Sequence, residues 1–222
     1  MTVDGRDGWV DLGHPTDPCL LFVPGFMVPP AAYRTLLTPV ADAGYHVVVP
    51  SLAGHGPRML LGRTPPEHEA AAALDVIDTL VGAGWLALAG HSRGGLVAWL
   101  AAARRRPDRL VLVDPVAGGG PPWADVAPLA EAPVGLAPLV IGCGLGGACA
   151  PDERNHEVFA AAAPSCTHAV LEDAGHADML DGRVGAVGRR VCRAGSDPAA
   201  VRDRIARLLV AHLAGGAATD VL

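Results

Sequence analysis

Ser92 is the residue whose surroundings most clearly favour catalysis, because it is the centre of the sequence Gly-His-Ser-Arg-Gly. An apolar run from Trp85 to Ala89 precedes it and an Ala/Leu/Val-rich segment follows. The pattern therefore predicts a strand, a sharp turn with Ser92 at its apex (a nucleophile elbow) and a helix, the elbow helix. Side chains two residues before or after a serine at such a turn would collide, which explains Gly90 and Gly94. The helix would direct its positive end at the reacting atoms. A G-x-S-x-G match also arises by chance in a glycine-rich chain, but only four serines are present and this one has the required context.

A serine nucleophile needs a general base, and His176 is the histidine best placed to act as one. It follows the last predicted strand in a glycine-flanked loop, and on this type of sheet the acid and the histidine follow later strands. Among the other histidines, His91 adjoins the nucleophile but is expected to point into the sheet, whereas His55 and His156 could line a pocket. The remaining histidines begin a strand or look peripheral: His46, His14, His68 and His212.

The acid that would orient the histidine is predicted to be Asp114. It lies at the carboxyl end of the strand after the elbow helix, where ligands gather in open α/β sheets. Such a strand end is rigid, and an aspartate there is hard to explain by packing. Asp152 is the second choice, and Asp173 and Asp178 flank the histidine itself.

Two backbone amides are expected to form an oxyanion hole. One belongs to Arg93, directly after the nucleophile, and the other to Phe26, in the loop after an earlier strand. Gly25 would let that loop approach closely. An ordinary tight turn at Gly25 is the alternative interpretation.

Strands that alternate with helices position these residues. The predicted strands are continuous apolar runs, as expected when helices cover both faces of a parallel sheet. They cover residues 9–12, Cys19–Val23, His46–Val49, Trp85–Ala89, Leu110–Val113, Leu139–Ile141 and His168–Leu171. The predicted helices cover Pro30–Ala43, Pro65–Leu80, the segment from the elbow to Arg106, Asp152–Ala163 and Pro198–Leu213. The pattern predicts one α/β domain over residues 1–222, with a doubly wound, mostly parallel sheet and residues 117–136 as a loop or minimal lid.

The composition argues against several classes of function. The net charge of −6 argues against a nucleic-acid partner. All 17 basic residues are arginine, which excludes Schiff-base chemistry on a lysine and is typical of GC-rich bacterial genomes. No His/Cys/Asp cluster has metal-ligand spacing, so neither a metal nor a cofactor is expected. The chain begins without an apolar export signal and has no apolar run long enough to span a bilayer, so the expected location is the cytoplasm.

The five cysteines match no zinc or CxxC pattern. They are Cys19, Cys143, Cys149, Cys166 and Cys192. An odd number in a cytoplasmic chain indicates reduced, buried thiols, and a disulfide between Cys149 and Cys166 is the alternative.

Several motifs, taken in chain order, resemble the chlorophyllase family of α/β-hydrolases over about residues 18–214. The motifs are Gly90-His91-Ser92-Arg93-Gly94-Gly95, Val113-Asp114-Pro115-Val116-Ala117-Gly118, Ile141-Gly142-Cys143-Gly144-Leu145-Gly146, Cys149-Ala150-Pro151 with Asn155-His156-Glu157, Gly175-His176-Ala177-Asp178-Met179-Leu180-Asp181, and Val191-Cys192-Arg193-Ala194-Gly195. Together they are far more specific than a lone serine motif.

The resemblance implies an α/β-hydrolase fold with a triad of Ser92, Asp114 and His176. Family members cleave the phytyl ester of chlorophyll to chlorophyllide and phytol, without a metal or cofactor. The oxyanion loop departs from the family pattern, because Pro24 precedes Gly25 where many members have histidine, although the amide donor of Phe26 is preserved. The chain is also shorter between the elbow and the next strand than the plant enzymes are. Fold and triad therefore transfer more directly than the substrate.

The sequence thus predicts a serine ester hydrolase that takes a lipophilic small-molecule ester through an acyl-enzyme. A thioesterase or acyltransferase of a biosynthetic pathway is the alternative among enzymes, since the same triad serves and only the acyl acceptor differs. A ligand-binding protein that keeps the fold is the alternative outside enzymes, and the retained serine, acid and histidine argue against it.

Overall fold

The computed structural model describes residues 8–52, 64–80, 84–118, 129 and 135–216. Within these ranges the chain forms a sheet of seven strands in the order β1-β3-β2-β4-β5-β6-β7. The strands are β1 (Val10–Leu12), β2 (Cys19–Val23), β3 (His46–Val49), β4 (Leu86–His91), β5 (Arg109–Val113), β6 (Leu139–Cys143) and β7 (Thr167–Leu171). All pairs are parallel except β1 with β3, which is antiparallel at the sheet edge. The predicted mostly parallel α/β sheet is confirmed.

Helices lie on both faces of this sheet. They are α1 (Arg34–Asp42), α2 (Pro66–Leu80), α3 (Arg93–Arg104), α4 (His156–Ala162), α5 (Gly182–Val191) and α6 (Pro198–Leu213), and a 3₁₀ turn at Pro30–Tyr33 precedes α1. Apolar side chains of α1 and α6 pack on one face of the sheet, and those of α2, α3 and α4 pack on the other. Successive residues of β2 alternate between these two cores, since Leu20 and Phe22 belong to the first and Leu21 and Val23 to the second. Both faces of the strands are therefore buried, which is why they are continuous apolar runs.

Two helices differ from the prediction for local reasons. The helix predicted from Asp152 begins only at His156, because the side chain of Asn155 accepts a hydrogen bond from the amide of Glu157 and caps the helix there. Helix α5 was not predicted, because glycines interrupt its sequence and lower its helix propensity.

The cysteine pairing differs from both sequence-based expectations. Cys149 forms a disulfide with Cys192, across a Cα–Cα distance of 5.5 Å, so the Cys149–Cys166 alternative is wrong. Cys149 follows β6 at its carboxyl end, whereas Cys166 precedes the parallel strand β7 and lies at the amino end of the sheet. Cys19 and Cys143 are buried free thiols, as expected. A disulfide is typical of oxidising compartments, and the cytoplasmic location stays a prediction.

Some expectations concern residues outside the described ranges. His55 and most of the predicted lid at 117–136 fall there. The single domain over residues 1–222 likewise stays a prediction. Among the residues that the structure describes, no helix combines the length and the apolar character needed to cross a membrane.

Candidate active site

Ser92 lies at the junction between β4 and α3. Its backbone has φ 55° and ψ −126°, a strained conformation for a residue with a side chain. The amide of Ser92 donates to the carbonyl oxygen of Val113 at 3.1 Å, so the neighbouring strand β5 holds the turn. The turn presents the serine hydroxyl at the carboxyl edge of the sheet.

The flanking glycines are required by close backbone contacts. A Cβ atom added at Gly90 would lie 2.1 Å from the carbonyl oxygen of Gly94. A Cβ atom at Gly94 would lie 2.1 Å from the carbonyl oxygen of Val23 in β2. Any side chain at either position would therefore displace backbone atoms.

His176 connects the serine to Asp114. Its Nε2 lies 2.9 Å from the Oγ of Ser92, and its Nδ1 lies 2.6 Å from the Oδ2 of Asp114. An ionised carboxylate only accepts hydrogen bonds, so Nδ1 carries the proton and Nε2 accepts from the serine hydroxyl. The structure thus brings all three predicted side chains into one hydrogen-bonded chain.

Asp114 is completely buried at the carboxyl end of β5, with φ 41°. Its second oxygen, Oδ1, accepts from the amide of Cys143 at 3.0 Å. Burial on its own raises the pKa of Asp114, but the hydrogen bond from His176, the charge of that ring and the Cys143 amide together lower the pKa below its usual value. The carboxylate is therefore ionised at neutral pH and anchored at both oxygens.

The other candidate acids lie elsewhere. Asp152 is exposed on the loop after β6, and Asp173 forms an exposed ion pair with Arg204. Asp178 is buried, and its Oδ2 accepts from the amides of Gly175 and Gly195 at 2.7 Å each. It therefore fixes the loop that carries His176 without touching the imidazole.

His91 has a role that the sequence did not reveal. Instead of pointing into the sheet, its ring lies 4.7 Å from the His176 ring, centroid to centroid. The Nε2 of His91 donates to the carbonyl oxygen of His176 at 3.0 Å, and its Nδ1 accepts from the Tyr33 hydroxyl at 2.8 Å. Burial, and then the nearby His176, lower the pKa of His91 to about 3, so the ring stays neutral.

The same hydroxyl reaches the predicted oxyanion loop. Tyr33 accepts a hydrogen bond from the amide of Gly25 at 2.8 Å. A Cβ atom at Gly25 would lie 3.3 Å from the Cβ of Ser92, so this loop passes close to the nucleophile. Among the described residues, the amides of Phe26 and Arg93 donate to no acceptor. They are the amides expected to bind an oxyanion.

The Arg93 side chain turns away from the nucleophile into a buried ion pair. Its guanidinium contacts the Glu69 carboxylate of α2 at 2.8 Å, and both side chains are almost fully buried. It also donates to the carbonyl oxygens of Thr64 and Gly118. The first turn of α3 is thus tied to α2 and to the segment after β5.

An open cavity of about 620 Å³ lies over Ser92 and His176. Its lining includes Phe26, Met27 and Val28, together with apolar residues of α5 and the preceding loop. These residues are Leu180, Val184, Val187 and Val191. The cavity is large enough, and apolar enough, for a lipophilic group next to the serine. Within the described residues, no three His, Cys, Asp or Glu side chains group as they would around a metal ion.

Comparison with solved structures identifies the fold. A solved structure of one of the metagenome-derived lipolytic enzymes LipS and LipT superposes with a TM-score of 0.61 at 17% identity, covering 83% of this chain and 96% of that one. This likeness, shared with other α/β-hydrolases, identifies the α/β-hydrolase fold.

Sequence comparison gives the family. The chain is 29% identical to Chlorophyllase-1, chloroplastic, of Citrus sinensis over 195 residues, which cover 76% of this chain and 57% of that protein. It is 28% identical to Chlorophyllase-2 of Arabidopsis thaliana over 240 residues, covering 88% of this chain and 72% of that protein. The chain thus spans little more than half the length of the Citrus relative. The chlorophyllase family profile matches residues 13–220, nearly the whole chain, and this chain belongs to the chlorophyllase family.

Proposed function

We propose that this protein is a serine ester hydrolase that cleaves lipophilic esters through an acyl-enzyme. The hydrogen-bonded chain from Ser92 through His176 to Asp114, at the base of an apolar cavity, carries the proposal. Family membership supports the same reaction class. Ser92 is the nucleophile, His176 the general base and then acid, and Asp114 the residue that orients the imidazole.

In the first half-reaction the Ser92 oxygen attacks the ester carbonyl while its proton passes to Nε2 of His176. Asp114 stabilises the imidazolium that forms. The carbonyl oxygen becomes an oxyanion, which the amides of Phe26 and Arg93 bind. Collapse of the intermediate breaks the bond to the alcohol oxygen, which takes the proton from His176 and leaves as the free alcohol.

The second half-reaction repeats these steps with water. His176 removes a proton from water as the water attacks the acyl carbon. The second tetrahedral intermediate then releases the carboxylic acid and returns the proton to Ser92. Besides water, this proposed cycle uses only side chains and amides of the chain itself.

The cavity and the family support a lipophilic ester as the substrate class. The apolar walls offer few polar partners to a charged group and suit a long hydrocarbon or a flat apolar ring system. The phytyl ester of chlorophyll, which would yield chlorophyllide and phytol, is the ester that family membership suggests first. Aliphatic esters of comparable size test how far the specificity extends.

The test is turnover of chlorophyll and of nitrophenyl esters of graded acyl length by wild type and by Ser92→Ala. Ser165→Ala is the matched control, because Ser165 lies at the amino end of the sheet, away from the carboxyl edge that carries Ser92. Its hydroxyl donates a hydrogen bond to the carbonyl oxygen of Leu136. We expect Ser92→Ala to lose at least about 10³-fold in kcat, because only binding and the oxyanion hole remain, and Ser165→Ala to keep activity. Equal activity of both variants would remove Ser92 from the mechanism, and absence of turnover by wild type on every ester would favour a thioester or a binding role.

A further inference from the structure

We propose that helix α5 is a docking surface for anionic lipid. When α5 is docked, the mouth of the cavity opens directly onto the lipid surface. Docking is independent of the catalytic assignment. Only its use, delivery of a lipophilic ester to Ser92, rests on the proposed function.

The apolar part of this surface belongs to the lining of the cavity. The large apolar side chains that are exposed, among the residues that the structure describes, are Met27, Val187 and Val191, at 36%, 57% and 69% exposure. All three line the same cavity. Exposed apolar groups scattered over a surface need no explanation, but a set confined to one rim indicates a contact surface.

The charged part adjoins it on the same helix. Helix α5 contains Arg183, Arg189 and Arg190 and no acidic residue, in a chain whose net charge is −6. Arg183 and Arg190 are exposed, and no carboxylate among the described residues forms an ion pair with either. On a helix of 3.6 residues per turn, both lie on the edge of the face that carries Val187 and Val191. The helix thus combines an apolar stripe with a basic border, the pattern of helices that lie in a lipid interface.

The body of the protein holds α5 in this orientation. A Cβ atom at Gly188 would lie 2.7 Å from the Cβ of Ala177, and one at Gly185 would lie 2.2 Å from the carbonyl oxygen of Leu180. The Cys149–Cys192 disulfide fastens the end of the helix. The glycine side is therefore committed to close packing, and the valine side faces outward.

An anionic lipid surface suits both parts of α5. Guanidinium groups bind phosphate headgroups, while valines contact the boundary of the acyl chains. A second copy of this chain is a poorer occupant, because it would place unpaired arginines from both copies against each other.

The experiment is sedimentation with vesicles of phosphatidylcholine and phosphatidylglycerol in equal amounts, and with vesicles of phosphatidylcholine alone. All proteins carry Ser92→Ala, so that lipid hydrolysis does not interfere and docking is measured apart from catalysis. The variants are Arg183→Gln/Arg190→Gln and Val187→Ser/Val191→Ser. The matched control is Arg104→Gln/Arg207→Gln, which removes the same charge from exposed positions on α3 and α6.

We expect binding to anionic vesicles, none to phosphatidylcholine, and release by salt. Each arginine near the lipid surface raises the affinity for vesicles about fivefold, so the α5 arginine variant should bind about 25-fold more weakly than the parent protein, which carries only Ser92→Ala. The control should bind like this parent. The valine variant should also lose binding while keeping its thermal midpoint.

Three outcomes overturn the proposal. They are no sedimentation of the parent with anionic vesicles, equal losses in the control and the α5 arginine variant, or a dimer in solution that Val187→Ser/Val191→Ser converts to a monomer. The last would make α5 an interface between copies of this chain.

Discussion

The Nε2 of His91 donates a hydrogen bond to the backbone carbonyl oxygen of His176 at 3.0 Å. The residue before the serine therefore holds the loop that carries the imidazole. Tyr33 extends this link, because its hydroxyl donates to His91 and accepts from Gly25 in the loop of Phe26. One buried network thus joins the strand end, the histidine loop and the proposed oxyanion loop.

Removing the Tyr33 hydroxyl should uncouple these parts. In Tyr33→Phe the amide of Gly25 loses its buried acceptor, which should cost about 1–3 kcal/mol of unfolding free energy. The shifted oxyanion loop should lower kcat by about tenfold or more with KM nearly unchanged. Urea unfolding and steady-state kinetics measure the two effects. Tyr45→Phe is the control, since its half-buried ring packs on Trp85 away from the site, and a kcat loss of equal size there would count against the network.

Asp114→Asn should lower kcat by at least about 10², because an amide can leave His176 in the wrong tautomer. KM should change little, since the carboxylate lies behind the histidine rather than in the cavity. Asp152→Asn, an exposed aspartate on the loop after β6, should cost less than about tenfold. Kinetics at pH 7 to 8, with circular dichroism to verify folding, make the comparison. Reversed effects would identify Asp152 as the acid.

Stability should fall with acidification before the carboxylates titrate. Burial, and then His176, lower the pKa of His91 to about 3, whereas an unfolded histidine titrates near 6.5. The unfolded state therefore binds more protons between these values, and the full stability present above pH 6.5 is lost progressively as the pH falls towards 3. For one such group, the unfolding free energy changes by up to about 1.4 kcal/mol per pH unit.

His212 should add to this slope, since burial, and then Arg109, lower its pKa to about 4. Urea unfolding at several pH values between about 7 and 5 measures the combined effect. His91→Asn and His212→Asn should each flatten the dependence, and a profile that neither variant changes would contradict the assignment.

Loss of the Cys149–Cys192 disulfide should destabilise the protein substantially. The cysteines lie 43 residues apart, and closing a loop of that length is worth up to about 4 kcal/mol through the entropy of the unfolded chain. Cys149→Ser/Cys192→Ser should therefore unfold at a clearly lower temperature, and reductant should lower the wild-type midpoint but not that of the variant. Cys166→Ser should keep the wild-type response. Peptide mapping under non-reducing conditions should find Cys149 joined to Cys192, and recovery of a Cys149–Cys166 peptide would reject this pairing.

The sequence predicts well what depends on neighbours in the chain. The strand at Cys19–Val23 can be predicted from its continuous apolar sequence, and the elbow at Ser92 from the spacing of its glycines. Helix α6 can be predicted because it begins at Pro198 and has apolar periodicity. Asp114 could be predicted as the acid because ligands bind at the carboxyl ends of the strands in such sheets.

The features that could not be predicted from the sequence depend on contacts between residues that lie far apart along the chain. Helix α5 contains Gly185 and Gly188 because it packs tightly on the loop after His176, and this reason cannot be seen from helix propensity. The same holds for the network of Tyr33 and His91, whose members lie 58 residues apart. The disulfide partner of Cys149 likewise depends on which end of the sheet each cysteine reaches.

The buried ion pair between Arg93 and Glu69 affects how the rate of hydrolysis depends on salt concentration. The arginine beside the nucleophile is neutralised by a carboxylate, so on the proposed mechanism fixed amide dipoles stabilise the oxyanion and Arg93 adds no free charge. Amide dipoles carry no net charge and are screened little by dissolved salt, whereas exposed arginines are screened strongly. Hydrolysis of a short, uncharged ester in solution should therefore proceed at nearly the same rate in dilute and concentrated salt, while attachment through α5 weakens.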